Sequence, residues 1–116
     1  MDDATAEKLA QNNSTFRDAN DEIEGAAIEH QLGRGEPLPF ICECSDSRCA
    51  QIIRLTLEEY AHVRSNERWF AHAVGHEEAV EGAVETIERH PSFVVVEKIN
   101  HAGEVAESLA GEAPEA

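Results

Sequence analysis

All three cysteines of this chain fall within eight residues, in Phe40-Ile41-Cys42-Glu43-Cys44-Ser45-Asp46-Ser47-Arg48-Cys49. Their spacing is C-x-C-x4-C. Residues two apart on an extended segment point to the same side, so Cys42 and Cys44 can face one ion together. Ser45-Asp46-Ser47 is turn chemistry, and it brings Cys49 back toward them. Leu38, Phe40 and Cys42 enter the turn on one side of an extended segment, and Gln51-Ile52-Ile53-Arg54-Leu55 leaves it. The stretch reads as a hairpin whose tip carries three quarters of a metal site.

Thiolates are soft ligands, and tetrahedral thiolate sites favour zinc among the common metals. Zinc needs a fourth ligand, and the sequence has no fourth cysteine but six histidines: His30, His62, His72, His76, His90 and His101. His76 is preferred because it follows Gly75, where the chain is free to turn back. His72, in the segment before it, and His62, close in sequence to the hairpin, remain alternatives. A site of three cysteines and one histidine is closed, and structural zinc sites are closed. A zinc enzyme would instead leave a position open and recruit Glu77 or Glu43 as a base. No H-x-E with P-C-x-x-C, H-E-x-x-H, G-x-S-x-G or phosphate-cradling glycine motif is present. A thiol redox sensor is the third reading, but C-x-x-C is absent, and Glu43 and Asp46 disfavour thiolate formation. Catalytic residues are therefore not expected.

The 116 residues suit one domain with a modest core. Aromatic side chains are few, and a metal staple compensates for a small core. The net charge of −15 disfavours direct nucleic-acid binding and anionic membrane surfaces. It keeps the chain soluble and, more sharply, favours a basic protein partner. No run approaches the roughly 18 apolar residues of a membrane span. Met1-Asp2-Asp3-Ala4 lacks the apolar core of a secretory signal, so a cytoplasmic, thiol-reducing location is expected.

Along the chain, residues 1–13 read as a flexible arm and residues 14–100 as a single zinc-stabilised α+β domain. Phe16, Ala19, Ile23, Ala26, Ala27 and His30 recur at helical spacing, with Asn13 or Ser14 as N-cap and Arg17 among the wet positions. Arg17 and Asn20 are a possible polar contact pair. Gly33 and Gly35 end this helix. Thr56-Leu57-Glu58-Glu59 fits a capping box, with Leu55 and Tyr60 as a hydrophobic staple. A strand is expected over residues 69–74, with Trp69 and Phe70 on opposite faces. A short helix or turn is expected over 77–82, then a hairpin whose second arm, Val94-Val95-Val96, is β-branched. Residues 101–116 read as a short helix fraying into an acidic, disordered tail.

Five segments together resemble a family of small, mostly uncharacterised bacterial proteins. Here they are Phe16-Arg17-Asp18-Ala19-Asn20-Asp21-Glu22-Ile23 (F-R-x-x-N-x-x-I), Cys42-Glu43-Cys44 through Cys49 (C-E-C-x4-C), and Leu55-Thr56-Leu57-Glu58-Glu59-Tyr60 with Val63-Arg64 (L-T-x-x-E-Y-x-x-V-R). Gly75-His76-Glu77 (G-H-E) and Val95-Val96-Glu97-Lys98 (V-V-E-K) complete the set. The resemblance runs from about Phe16 to Lys98 and implies that His76 joins the three cysteines. It carries no activity to transfer, and Val74 stands where a proline is common. The expectation is an N-terminal helix and a small, mainly antiparallel sheet with a zinc-tipped hairpin, a binding or regulatory module acting through protein contacts.

Overall fold

The computed structural model describes residues 3–44, 46, 48–49, 51–76 and 84–111. Its elements run α1 (Asp3–Glu29), β1 (Leu38–Ile41), β2 (Ile52–Leu55), α2 (Leu57–Arg64), β3 (Trp69–His72), β4 (Val84–Arg89), β5 (Val94–Lys98) and α3 (Asn100–Gly111). This is an α+β fold. Strands β1 and β2 form the expected antiparallel hairpin, with Phe40 opposite Ile53 and Leu38 opposite Leu55. The second sheet is antiparallel in the order β3-β5-β4. The β-branched β5 lies at its centre, where both faces are covered and side chains that fill a pleated surface are favoured.

Helix α1 begins at Asp3, well before the Asn13 or Ser14 start that the sequence pattern suggests. Asn13 and Ser14 therefore lie inside the helix, buried, rather than capping it, and the described part of the expected arm is helical. Its inward stripe also differs from the apolar one expected. Asn13, Arg17, Asn20 and Ala27 are buried at spacings of three, four and seven, whereas Ala26 and His30 are exposed. Buried polar groups are tolerated only with partners, and the rest of the fold supplies them, as described below. The chain leaves α1 through Gln31 at φ 56°. The Leu32 amide donates to the Ala27 carbonyl, a Schellman-type closure. Gly33, at φ 68°, follows, with the Leu38 side chain packed where a Cβ would stand.

Helix α2 forms where the capping box places it. Glu59 N donates to Thr56 Oγ1 at 3.0 Å, and Thr56 N donates to Glu59 Oε1 at 2.8 Å. Its inner face presents Tyr60 and Val63, and the Tyr60 ring stacks on Phe40 with centroids 4.5 Å apart. Phe40, Leu55, Tyr60, Val63, Ala71 and Val95 belong to one apolar cluster between the two sheets. Phe70, Val94, Val96 and Ala106 form a second on the opposite face of the three-stranded sheet, beneath α3. Phe70 and Trp69 thus pack on opposite faces, as strand alternation requires. The stretch expected to fray after residue 100 starts with α3, which buries Ala102 and Ala106. The helix or turn expected over residues 77–82 lies outside the described residues, as do residues 112–116.

Candidate metal centre

The metal ligands expected from sequence come together. One ligand atom from each of Cys42, Cys44, Cys49 and His76 lies within 4.8 Å of all the others. Among the described residues this is the one group of histidine, cysteine and acidic side chains placed to hold an ion. Cys42 and Cys44 follow β1 and are buried; Cys49 and His76 are half-buried. Asp46 shapes the tip: its carbonyl accepts from the Cys49 amide and its carboxylate from the Arg48 amide, both at 2.9 Å. After β3 the chain turns through Gly75, at φ 90°, where a side chain would be strained. The His76 amide donates to the Ala73 carbonyl, closing that turn. His76 Nδ1 then stands 3.6 Å from the sulfurs of both Cys42 and Cys49.

The surroundings suit a cation. The Ala73 amide donates to Cys42 Sγ at 3.2 Å. Burial pushes the Cys42 and Cys44 thiols above their ordinary range, against the pull of backbone N–H groups directed at their sulfurs. Without a positive ion these groups stay protonated and poorly nucleophilic. A bound metal reverses that, because a coordinating thiol is deprotonated outright. The donor set and its spacing therefore fit a metal ion.

The alternative histidines have other tasks. His72 is fully buried, and its Nδ1–H donates to the His76 carbonyl at 2.9 Å. It braces the turn that presents His76. His62 and His90 contact the two oxygens of the Glu88 carboxylate, at 2.7 and 2.9 Å, and the acceptor role holds Glu88 below its usual range. They line a groove of about 210 Å³ with Glu58, Glu59 and Phe93, none of which belongs to the four-residue cluster.

Glu43, which the catalytic alternative would recruit as a base, has another role. It lies between Cys42 and Cys44, yet its carboxylate is fully buried and engaged by residues outside the cluster. Oε1 accepts from Arg64 Nη2 at 2.8 Å and from the Ala71 amide at 2.9 Å, and Oε2 accepts from Asn20 Nδ2 at 2.8 Å. The side chain thereby joins the hairpin to α1, α2 and β3. Arg17, also buried, donates to Ser14 Oγ and to the carbonyls of Glu67 and Ala106, with its guanidinium over the Phe70 ring. Burial and the nearby Arg64 lower its pKa, but an arginine remains charged. Tyr60 completes the network by donating to Asp21 Oδ1 at 2.7 Å. A Glu43 committed to these partners is not a base for metal-bound water. Its signal was the alternation itself, since a residue between two same-side ligands must face the other way.

No protein-family model, curated protein or solved structure matches this chain.

Proposed function

We propose that this protein is a small zinc-stabilised binding module that works through protein–protein contacts. Cys42, Cys44, Cys49 and His76 are its closed structural site. The observation that carries the reading is the convergence of three sulfurs and one imidazole from two separate turns. Zinc bonds of about 2.3 Å to sulfur and about 2.0 Å to nitrogen, at tetrahedral angles, separate S from N by about 3.5 Å. The two S···Nδ1 distances of 3.6 Å support that geometry. Four protein ligands leave no position for a substrate water, which favours a structural role over a catalytic one. The motif resemblance agrees with the same ligand set. Three unpaired thiols suit a reducing, cytoplasmic setting. The net charge of −15 favours a basic partner and opposes direct contact with nucleic acid or an anionic membrane.

Metal analysis of the purified chain tests this. One zinc per chain is expected, with a fall in thermal midpoint on chelation. His76→Ala is expected to weaken zinc binding; unchanged affinity and stoichiometry would move the fourth ligand elsewhere. A Cys44→Ser variant with full zinc content and stability would sink the structural-zinc reading. Affinity capture with the zinc-loaded chain should enrich basic proteins, and the chelated chain should lose them.

A further inference from the structure

The residues that lead into the thiolate site are held from two sides. One side carries the sulfurs of Cys42 and Cys44. The other meets α1, whose side-chain amides reach Ile41 and Glu43. Asn20 Nδ2 donates to the Ile41 carbonyl at 2.7 Å and Asn20 Oδ1 accepts from the Ile41 amide at 2.8 Å. Asn20 Nδ2 also contacts Glu43 Oε2 at 2.8 Å, and Asn13 Nδ2 donates to the Glu43 carbonyl. Both asparagines are fully buried. Asn20 acts on Ile41 as a neighbouring strand would, satisfying its N–H and C=O together.

Such contacts are sensitive to position, because hydrogen bonds weaken steeply with misalignment and a buried amide has no water to turn to. A shift of the hairpin tip would therefore be felt by α1. On the opposite face, the tip's position depends on what Cys42 and Cys44 share with Cys49 and His76. One ion would tie all four. Neutral thiols offer no comparable tie, since S–H is a weak donor.

We propose that segment 41–44 is a two-sided latch through which metal occupancy controls the seating of α1. With the ion bound, Ile41 and Glu43 are held in the register that Asn13 and Asn20 require. When the ion leaves, those contacts loosen and the inward face of α1 becomes available. The proposal rests on the metal-site reading above and adds its regulation. It makes the site a sensor of metal supply as well as a fastener.

Coupling of this kind is reciprocal: whatever metal binding gives to α1 docking, α1 docking must return to metal affinity. Asn20 and Asn13 hold the backbone of Ile41 and Glu43 and the Glu43 carboxylate, so a change in zinc affinity on their substitution reports the coupling. Zinc affinity of the full chain is measured by competition with a chromophoric chelator, for the wild type, Asn20→Ala, Asn13→Ala and Thr56→Ala. Thr56→Ala removes the α2 cap, whose hydrogen bonds join Thr56 to Glu59 and not to segment 41–44. The expected result is zinc binding weaker by about tenfold in Asn20→Ala, a smaller loss in Asn13→Ala, and wild-type affinity in Thr56→Ala. Asn13→Ala keeps the test open if Asn20→Ala fails to fold. Wild-type affinity in Asn13→Ala and in any folded Asn20→Ala, or an equal loss in Thr56→Ala, overturns the proposal. Amide exchange gives a second readout: chelation should speed exchange across residues 13–23 more than across β5, and equal acceleration would refute the latch. A wild-type chain that binds no zinc would instead refute the metal site itself.

Discussion

Glu43 shows how one side chain can decide whether the two halves of this fold belong together. It is a fully buried carboxylate with partners from α1, α2 and β3. Removing one partner of a buried ion pair strands the other, at a cost of about 3–5 kcal/mol. Glu43→Ala is therefore expected to destabilise the zinc-loaded protein by that amount in urea denaturation. Replacing both charges, as in Glu43→Leu with Arg64→Met, should cost less than Glu43→Ala alone, because no unpaired charge then remains inside. A double variant no better than the single one would mean that the hydrogen bonds to Asn20 and Ala71, rather than the ion pair, dominate. The convergence of Cys42, Cys44 and Cys49 was legible at this scale, because turn residues act locally. The burial of Glu43 was not. It depends on α1 crossing the hairpin at Ile41, a contact between residues about twenty apart that no local pattern encodes.

Local chemistry was most legible where an element's own residues decide its end. The α2 cap is the clearest case, since Thr56 and Glu59 satisfy each other's backbone without help from the rest of the chain. Thr56→Ala should cost about 1 kcal/mol, read as a lower denaturation midpoint. A midpoint unchanged from wild type would show that α2 is held by Tyr60, Val63 and Arg64 rather than by its cap. Helix α1 is the opposite case. Phe16, Ala19 and Ile23 marked a helix correctly, but the face it buries is centred on Asn13, Arg17 and Asn20. Hydrophobic periodicity cannot find such a face, because its partners are the carboxylate of Glu43 and carbonyls of Ile41, Glu43, Glu67 and Ala106. The same limit hid the docking of the expected C-terminal helix, α3, whose Ala102 and Ala106 gain their burial from neighbours rather than from size. Val94, Val95 and Val96 were legible because β-branched side chains suit a central strand wherever it sits.

For the whole molecule, the thiols set opposite pH responses with and without metal. In the metal-free chain, burial holds Cys42 and Cys44 above their ordinary range. Above about pH 8.5, the unfolded chain gives up its thiol protons while the folded chain keeps these two. The unfolded state then binds fewer protons, so stability present below that pH declines as the pH rises. With a metal at the proposed site, the folded state would already hold thiolates. There the unfolded state binds more protons at neutral and acid pH, so stability falls as the pH is lowered. Chelated protein should therefore lose urea resistance between about pH 7.5 and about pH 9.5, a range below the ordinary titration of tyrosine. Zinc-loaded protein should hold its resistance across that range and lose it on acidification as the metal is released. The −15 charge works against the second trend, since protonating surface carboxylates relieves self-repulsion as the pH falls. Metal loss should nevertheless dominate, because it removes a crosslink between the hairpin tip and the turn after β3, whereas the repulsion is spread over the surface and screened by salt. Matching pH slopes for the two forms would mean that the cysteines carry no metal in the folded state.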